Sequence, residues 1–208
     1  MDFQKEYWNG IYKNLNSKKP TYDLWLDKYT FILKQSKNIP IIDLGCGFGN
    51  DTLYLTERGY SVISCDFSKE ALDRLSSFID NPVTKHFDLK DGLPFQNDSA
   101  KIIIADLSLH YFSWQDTQKI LKDIKRVLMK DGVLLCRVNS TNDVNHGAGQ
   151  GIQIEENFYN VDRMLKRFFN EETLRVLFSQ WHISYMDECE MNRYDSSKIL
   201  WEVAAINE

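Results

Sequence analysis

Ile39-Pro40-Ile41-Ile42-Asp43-Leu44-Gly45-Cys46-Gly47-Phe48-Gly49-Asn50 couples a short apolar run to three alternating glycines. The run Ile39–Leu44 predicts a buried strand. The glycines predict a tight turn that lets the backbone approach a ligand without Cβ clash. The helix expected over Asp51–Arg58, stopped by Gly59, points free N–H groups back toward that turn. A dinucleotide fingerprint reads G-x-G-x-x-G after an apolar residue. Here the pattern is D-x-G-x-G-x-G, and the leading Asp43 would repel a pyrophosphate.

The rhythm continues downstream. Ser61–Cys65 predicts a second strand, and Ser68 caps a helix to about Phe78 with Glu70 in its first turn. Pro82 precedes a third strand, Val83–Phe87. Ala100–Ala105 predicts a central fourth. Ser113-x-x-Asp116 reads as a capping box for a helix to Lys130, whose apolar stripe is Ile120, Leu121, Ile124, Val127 and Leu128. Gly132 is expected to stop it before a fifth strand, Val133–Val138. Alternating strands and helices imply βαβ units and a parallel sheet. Residues 141–169, with Gly147, Gly149 and Gly151, predict a long irregular segment, functional or mobile. Asn170 caps a last helix to about Phe178. Strands near His182–Asp187 and Ile199–Ile206 follow, linked by the polar stretch Glu188–Lys198.

Two acids fall where strands end. Asp66 closes the second strand, where a carboxylate can accept from both hydroxyls of a ribose. Asp88 closes the third. With the glycine loop, Leu93-Pro94-Phe95 and the segment Asp106–Phe112, these stretches resemble, in order and spacing, class I Rossmann-like S-adenosylmethionine (SAM)-dependent methyltransferases. The resemblance runs over about residues 39–140. Residues 141–208 resemble the small-molecule branch, including tellurite-resistance-type enzymes. Met129-Lys130-Asp131-Gly132-Val133 departs from that family's turn by lacking a proline and a second glycine.

The resemblance implies a single domain over 1–208: a three-layer αβα sandwich around a mostly parallel seven-stranded sheet with an antiparallel last strand. Residues 1–38 would form a helical cap or lid, 39–140 the SAM-binding core, and 141–208 the substrate loop, last helix and final strands. SAM is the implied cofactor. Its site would comprise Asp43, Gly45, Cys46, Gly47, Gly49, Asn50, Asp66, Phe67, Asp88, Leu89, Asp106 and Leu107. In the family, the first acid helps hold the ammonium group and the third accepts from the adenine amine. The expected product chemistry is methyl transfer to a small-molecule acceptor by in-line displacement. A nicotinamide-dependent oxidoreductase and a non-catalytic SAM-binding module are the alternatives.

His110 is the one candidate general base, and equally a substrate-orienting donor or a core histidine. Tyr7, Trp8, Tyr12, Tyr111, Arg137 and His146 are candidates for substrate or lid contacts. An aromatic face near a sulfonium gains cation–π attraction, but N-terminal aromatics more often pack a core. Arg137, Arg163 and Arg167 suit an anionic substrate; a charge inside a strand such as Arg137 equally suits a structural ion pair.

Composition sets limits. The 208 residues carry 25 basic and 30 acidic side chains, a formal charge of −5. That disfavours nucleic acid as a partner, since phosphate binding needs a basic surface; Lys18–Lys19 and Lys166–Arg167 read as solvated positions. No apolar run is long enough to span a bilayer, so no membrane partner and a cytoplasmic location are expected. Cys46, Cys65, Cys136 and Cys189 contain no C-x-x-C pair and read as reduced thiols. No His/carboxylate spacing suggests a metal.

Overall fold

The computed structural model describes residues 3–14 and 19–208; Lys18 lies outside them. A seven-stranded sheet forms the middle layer: β1 (Ile41–Leu44), β2 (Val62–Asp66), β3 (Val83–His86), β4 (Ala100–Asp106), β5 (Leu128–Asn139), β9 (His182–Met191) and β10 (Lys198–Ile206). Their order is β3-β2-β1-β4-β5-β10-β9. Neighbours from β3 to β5 pair parallel, while β10 is antiparallel to both β5 and β9. This is the expected sheet with its expected reversed last strand.

Strand periodicity sorts the core into two faces. Ile42, Leu44, Ile103, Ala105, Leu134 and Cys136 face α5 (Trp114–Val127) and α6 (Glu171–Leu177), meeting Ile120, Ile124, Leu174 and Phe178. Ile41, Ile102, Ile104, Val133 and Leu135 face the other way. They meet α3 (Asn50–Glu57) through Tyr54 and Leu55, and a run of helical turns over 25–36 through Trp25, Leu26, Tyr29 and Leu33. That run includes α2 (Thr30–Leu33). Ahead of it, α1 (Phe3–Asn14) buries no residue of its own. Among the described residues the longest helix, α5, has 14 residues, and none is long and apolar enough to cross a membrane.

Caps act where the sequence places them. Ser68 accepts from the Ala71 N–H ahead of α4 (Lys69–Leu75), Ser113 from Asp116 ahead of α5, and Asn170 from Thr173 ahead of α6. Two expectations fail. α5 stops at Val127, not Lys130. Leu128–Lys130 extend into β5, while the Asn207 side-chain amide donates to the carbonyls of Lys125, Leu128 and Met129. Gly132 is therefore not a helix stop. A Cβ there would meet Met129 O at 2.8 Å and Lys101 O at 3.2 Å, so it is glycine for close backbone approach.

Residues 141–169 are not irregular throughout. They contain a three-stranded antiparallel meander, β6 (Ile152–Glu155), β7 (Phe158–Val161) and β8 (Met164–Arg167). Its turns place Asn157, Asp162 and Arg163 in the left-handed region. Buried Arg167 fastens it to the main body, donating to Phe112 O, Glu156 O and Glu155. Glu155 in turn accepts from the Trp114 N–H that opens α5. Arg167 is thereby a structural tie.

Gly49 and Gly59 both have positive φ, +101° and +80°. A Cβ on Gly59 meets nothing within 4 Å, whereas one on Gly49 would lie 2.8–2.9 Å from the buried Leu75 side chain. Gly59→Ala should cost about 1 kcal/mol, the left-handed backbone alone. Gly49→Ala should cost roughly 1–3 kcal/mol more by overpacking. Urea unfolding of both variants checks this; equal losses would refute the packing argument.

Candidate functional site

The carboxyl ends of β1, β2 and β4 open into a cavity of about 370 Å³. β1 breaks into the glycine loop because Gly45, Gly47 and Gly49 take φ of +70°, +56° and +101°. Each glycine has a steric reason. A Cβ on Gly45 would lie 2.4 Å from Ser108 Cβ, and one on Gly47 would lie 2.9 Å from the Tyr12 hydroxyl. Gly45 and Gly47 line the cavity; Gly49 does not, being packed against α4.

Acids rim the opening. Asp66 receives the Gly47 N–H on Oδ2 and the Ser68 N–H on Oδ1, both at 2.8 Å. Burial pushes its carboxyl up to about 6, against the pull of those N–H donors. Asp43 accepts the Thr52 hydroxyl at 2.7 Å. Burial pushes it up to about 7, opposed by Thr52 and reinforced by the charges of Asp106 and Asp66. Asp106 goes the other way. Burial raises it, but Arg137 and Arg193 outweigh that and hold it down at about 2. Asp88 accepts the Lys90 N–H and pairs with Lys5 of α1 at 2.7 Å; burial raises its carboxyl, and Lys5 and Lys90 bring it net below the usual range.

α1 roofs the cavity. Trp8 stacks on Tyr12 at 5.8 Å and meets Tyr111 edge-on at 5.7 Å, while Tyr12 leans on Phe48. Of the residues singled out from sequence, Asp43, Gly45, Cys46, Gly47, Asn50, Asp66, Phe67, Asp88, Leu89, Asp106, Leu107, Trp8, Tyr12 and Tyr111 line the cavity.

Seven do not, among them Gly49, Arg163 and the structural tie Arg167. Tyr7 stands edge-on behind Trp8 and is 48% exposed. Arg137 is buried with every edge spent: it forks onto Asp106 at 2.7 and 2.8 Å, takes Asp23 at 2.7 and 3.2 Å, and lies over Trp25. It is the structural ion pair rather than an anion receptor. His110 is 3% exposed behind Tyr111, its ring 4.4 Å from that tyrosine's, with Nδ1 unpartnered among the described residues and the side chain outside the cavity lining. Burial and nearby Lys198 and Lys166 hold its pKa well below the usual value. His146 bonds Asp143 at 2.8 Å and Ser196 at 3.3 Å, outside the cavity wall.

Other lining residues escaped the sequence reading, notably Lys5, Phe48, Asp51, Ser108, Phe112, Arg193 and Tyr194. Ser108 follows two residues behind Asp106 and buttresses the loop, donating to Leu44 O at 2.8 Å. For Arg193 one signal existed: it is the only basic residue between Glu188 and Ser197. Among the described residues no cluster of His, Cys, Asp or Glu is arranged to hold a metal. All four cysteines are free.

The raised Asp43 has a measurable sign. The folded chain binds that proton more tightly than the unfolded chain, whose carboxyl titrates near 3.8. Its unfavourable burial is absent below about pH 4 and grows until about pH 7. Asp43→Asn should therefore match the parent at pH 4 and exceed it by about 4 kcal/mol at pH 7.5. Urea unfolding at both pH values decides; a variant less stable at pH 7.5 would refute this.

Comparison with known proteins follows the same lines. The methyltransferase domain family matches residues 42–136. The tRNA N(3)-methylcytidine methyltransferase Mettl2 of Drosophila melanogaster is 31% identical over 157 residues, 67% of this chain and 47% of that protein. The uncharacterized methyltransferase YcgJ of Bacillus subtilis is 28% identical over 167 residues, 75% and 62% respectively. The chain thus spans about half to three-fifths of these relatives. A SAM-dependent methyltransferase from Methanosarcina mazei superposes with a TM-score of 0.70 at 20% identity, covering 82% of this chain and 92% of that one. The glycine loop, the order of the acids, the sheet and the matched domain agree: residues 42–136 carry a methyltransferase domain, and the chain has the Rossmann-like fold of class I SAM-dependent methyltransferases.

Proposed function

We propose that the chain binds SAM in the cavity under α1 and transfers its methyl group to a small-molecule acceptor. The observation that carries this is the loop–acid geometry. Two cavity-facing glycines leave a cradle that a Cβ would fill, and Asp66 is held beside it by two backbone donors. That donor set suits a nucleoside bearing a cationic amino acid.

Asp66 would accept from the ribose hydroxyls, its lone pairs not exhausted by Gly47 and Ser68. Asp88 and the Leu89 backbone would meet the adenine edge. Asp43, Gly45 and the backbone after Asp106 would face the amino-acid end. When bound, SAM supplies a methyl group on a sulfonium, and a substrate heteroatom receives it in line. The residues orient and dry the site: Trp8, Tyr12 and Tyr111 exclude water and offer aromatic faces to a cation. No general base is assigned, since His110 lies behind the wall.

A small-molecule acceptor is supported by the aromatic-lined cavity and by the −5 charge. Mettl2 is by name a tRNA enzyme, so RNA belongs in the acceptor screen as the competing class, beside the tellurite-type substrates suggested by sequence. Isothermal titration tests the cofactor. SAM and S-adenosylhomocysteine (SAH) should bind in the micromolar range, about −8 kcal/mol. Binding should vanish in Asp66→Ala and in Gly47→Val, whose side chain would strike Tyr12. A folded parent protein that binds neither ligand would overturn the reading.

A further inference from the structure

We propose that Arg193 is the seat of a carboxylate on the methyl acceptor, so that the acceptor is a small organic acid with a flat apolar body. This rests on the methyltransferase reading above and names its substrate class.

The sheet order lays the site out in a row. Asp88 follows β3, Asp66 ends β2, the glycine loop follows β1, and Asp106 ends β4. β5 and β9 both pair antiparallel with β10, so they run the same way, and the connection 192–197 after β9 lies at the same carboxyl edge. Arg193 sits on that connection and reaches the cavity from the side of β5 and β10. The nucleoside-type acids stand on the opposite side of β4. The two halves of the cavity are thereby divided between two ligands.

Arg193 is also the poorly balanced cation of its cluster. Its side chain is 12% exposed. Nη2 has one contact, Asp106 Oδ2 at 3.1 Å, on a carboxylate whose two oxygens already hold Arg137. Nη1 is buried with no hydrogen-bond partner among the described residues. The remaining acid nearby, Asp51, already accepts the Trp25 indole N–H at 3.0 Å, and burial pushes its carboxyl up, toward the neutral form. A buried guanidinium N–H without an acceptor carries a desolvation cost that an incoming carboxylate relieves. Lysine would not present the same planar fork.

The connection is held ready. Asp143 accepts the Ile199 N–H and the Lys198 ammonium at 3.1 and 2.6 Å, and positions His146, which bonds Ser196. Tyr194 also lines the cavity and meets the His146 ring. Trp8 and Tyr111 line the same cavity. An anionic head on Arg193 therefore places an apolar body among aromatic faces.

The test uses the full chain saturated with SAH, titrated with benzoate and with its neutral isostere benzamide, binding being read from protein NMR shifts. Benzoate should bind at least about tenfold more tightly than benzamide. Arg193→Gln should erase that preference while leaving SAH affinity within about threefold, and Arg193→Lys should restore part of it. Retained SAH binding certifies that each variant is folded. Benzoate binding no tighter than benzamide, absence of both included, overturns the proposal while the cofactor reading stands. A loss of SAH affinity in Arg193→Gln overturns it too, by giving the arginine to the cofactor's own carboxylate. Failure of the parent protein to bind SAH would sink both readings together.

Discussion

The ion cluster Asp106–Arg137–Asp23 is the constraint around which the rest is arranged. Arg137 lies inside β5, almost fully enclosed, where a lone guanidinium would be prohibitively costly. It is tolerated because it forks onto two carboxylates and lies over the Trp25 ring. Asp106 comes from the neighbouring strand, Asp23 from the segment entering the helical turns over 25–36. One buried cation thus pins strand end, neighbouring strand and N-terminal segment to a common point. Removing Asp106 alone would leave Arg193 without its carboxylate and Arg137 with Asp23 only, a loss of about 3–5 kcal/mol.

That arrangement explains the electrostatics of the cavity. Asp106 can remain ionised beside Asp43 and Asp51 because arginines flank it. The other two lack such partners, and burial pushes their carboxyls up. Neighbouring acids on one sheet edge are thus driven apart in proton affinity by environment alone. The cavity is rich in carboxyl groups, yet not all of them carry full charge, which limits their mutual repulsion.

Local chemistry was legible in the sequence, and distant pairing was not. The alternating glycines, the acid after β2 and the caps Ser68, Ser113 and Asn170 act through neighbours a few residues away. The sheet core followed from period-two burial in runs such as Ile102–Ile104. Gly132 misled, because glycine serves both as helix stop and as a concession to a crossing backbone; here Asn207, from the far end of the chain, ends α5. The meander escaped because its strands have four residues each, too short for alternation to declare itself. Arg193 escaped because its partner Asp106 lies 87 residues away.

The bridge between Lys5 and Asp88 has a corollary. Asp88 closes the end of the cavity beyond β3, and one of its oxygens is engaged by the first turns of the roof helix. A purine amine seeking that carboxylate meets a competitor belonging to the lid itself. Were a nucleoside to dock there as proposed, its amine would share that carboxylate with Lys5, and the hold of the helix would depend on what the cavity contains. Half-exposed charges of this kind are screened by salt. Ionic strength would therefore loosen the grip of α1 on the rim of the cavity while leaving the contacts deeper in the pocket untouched.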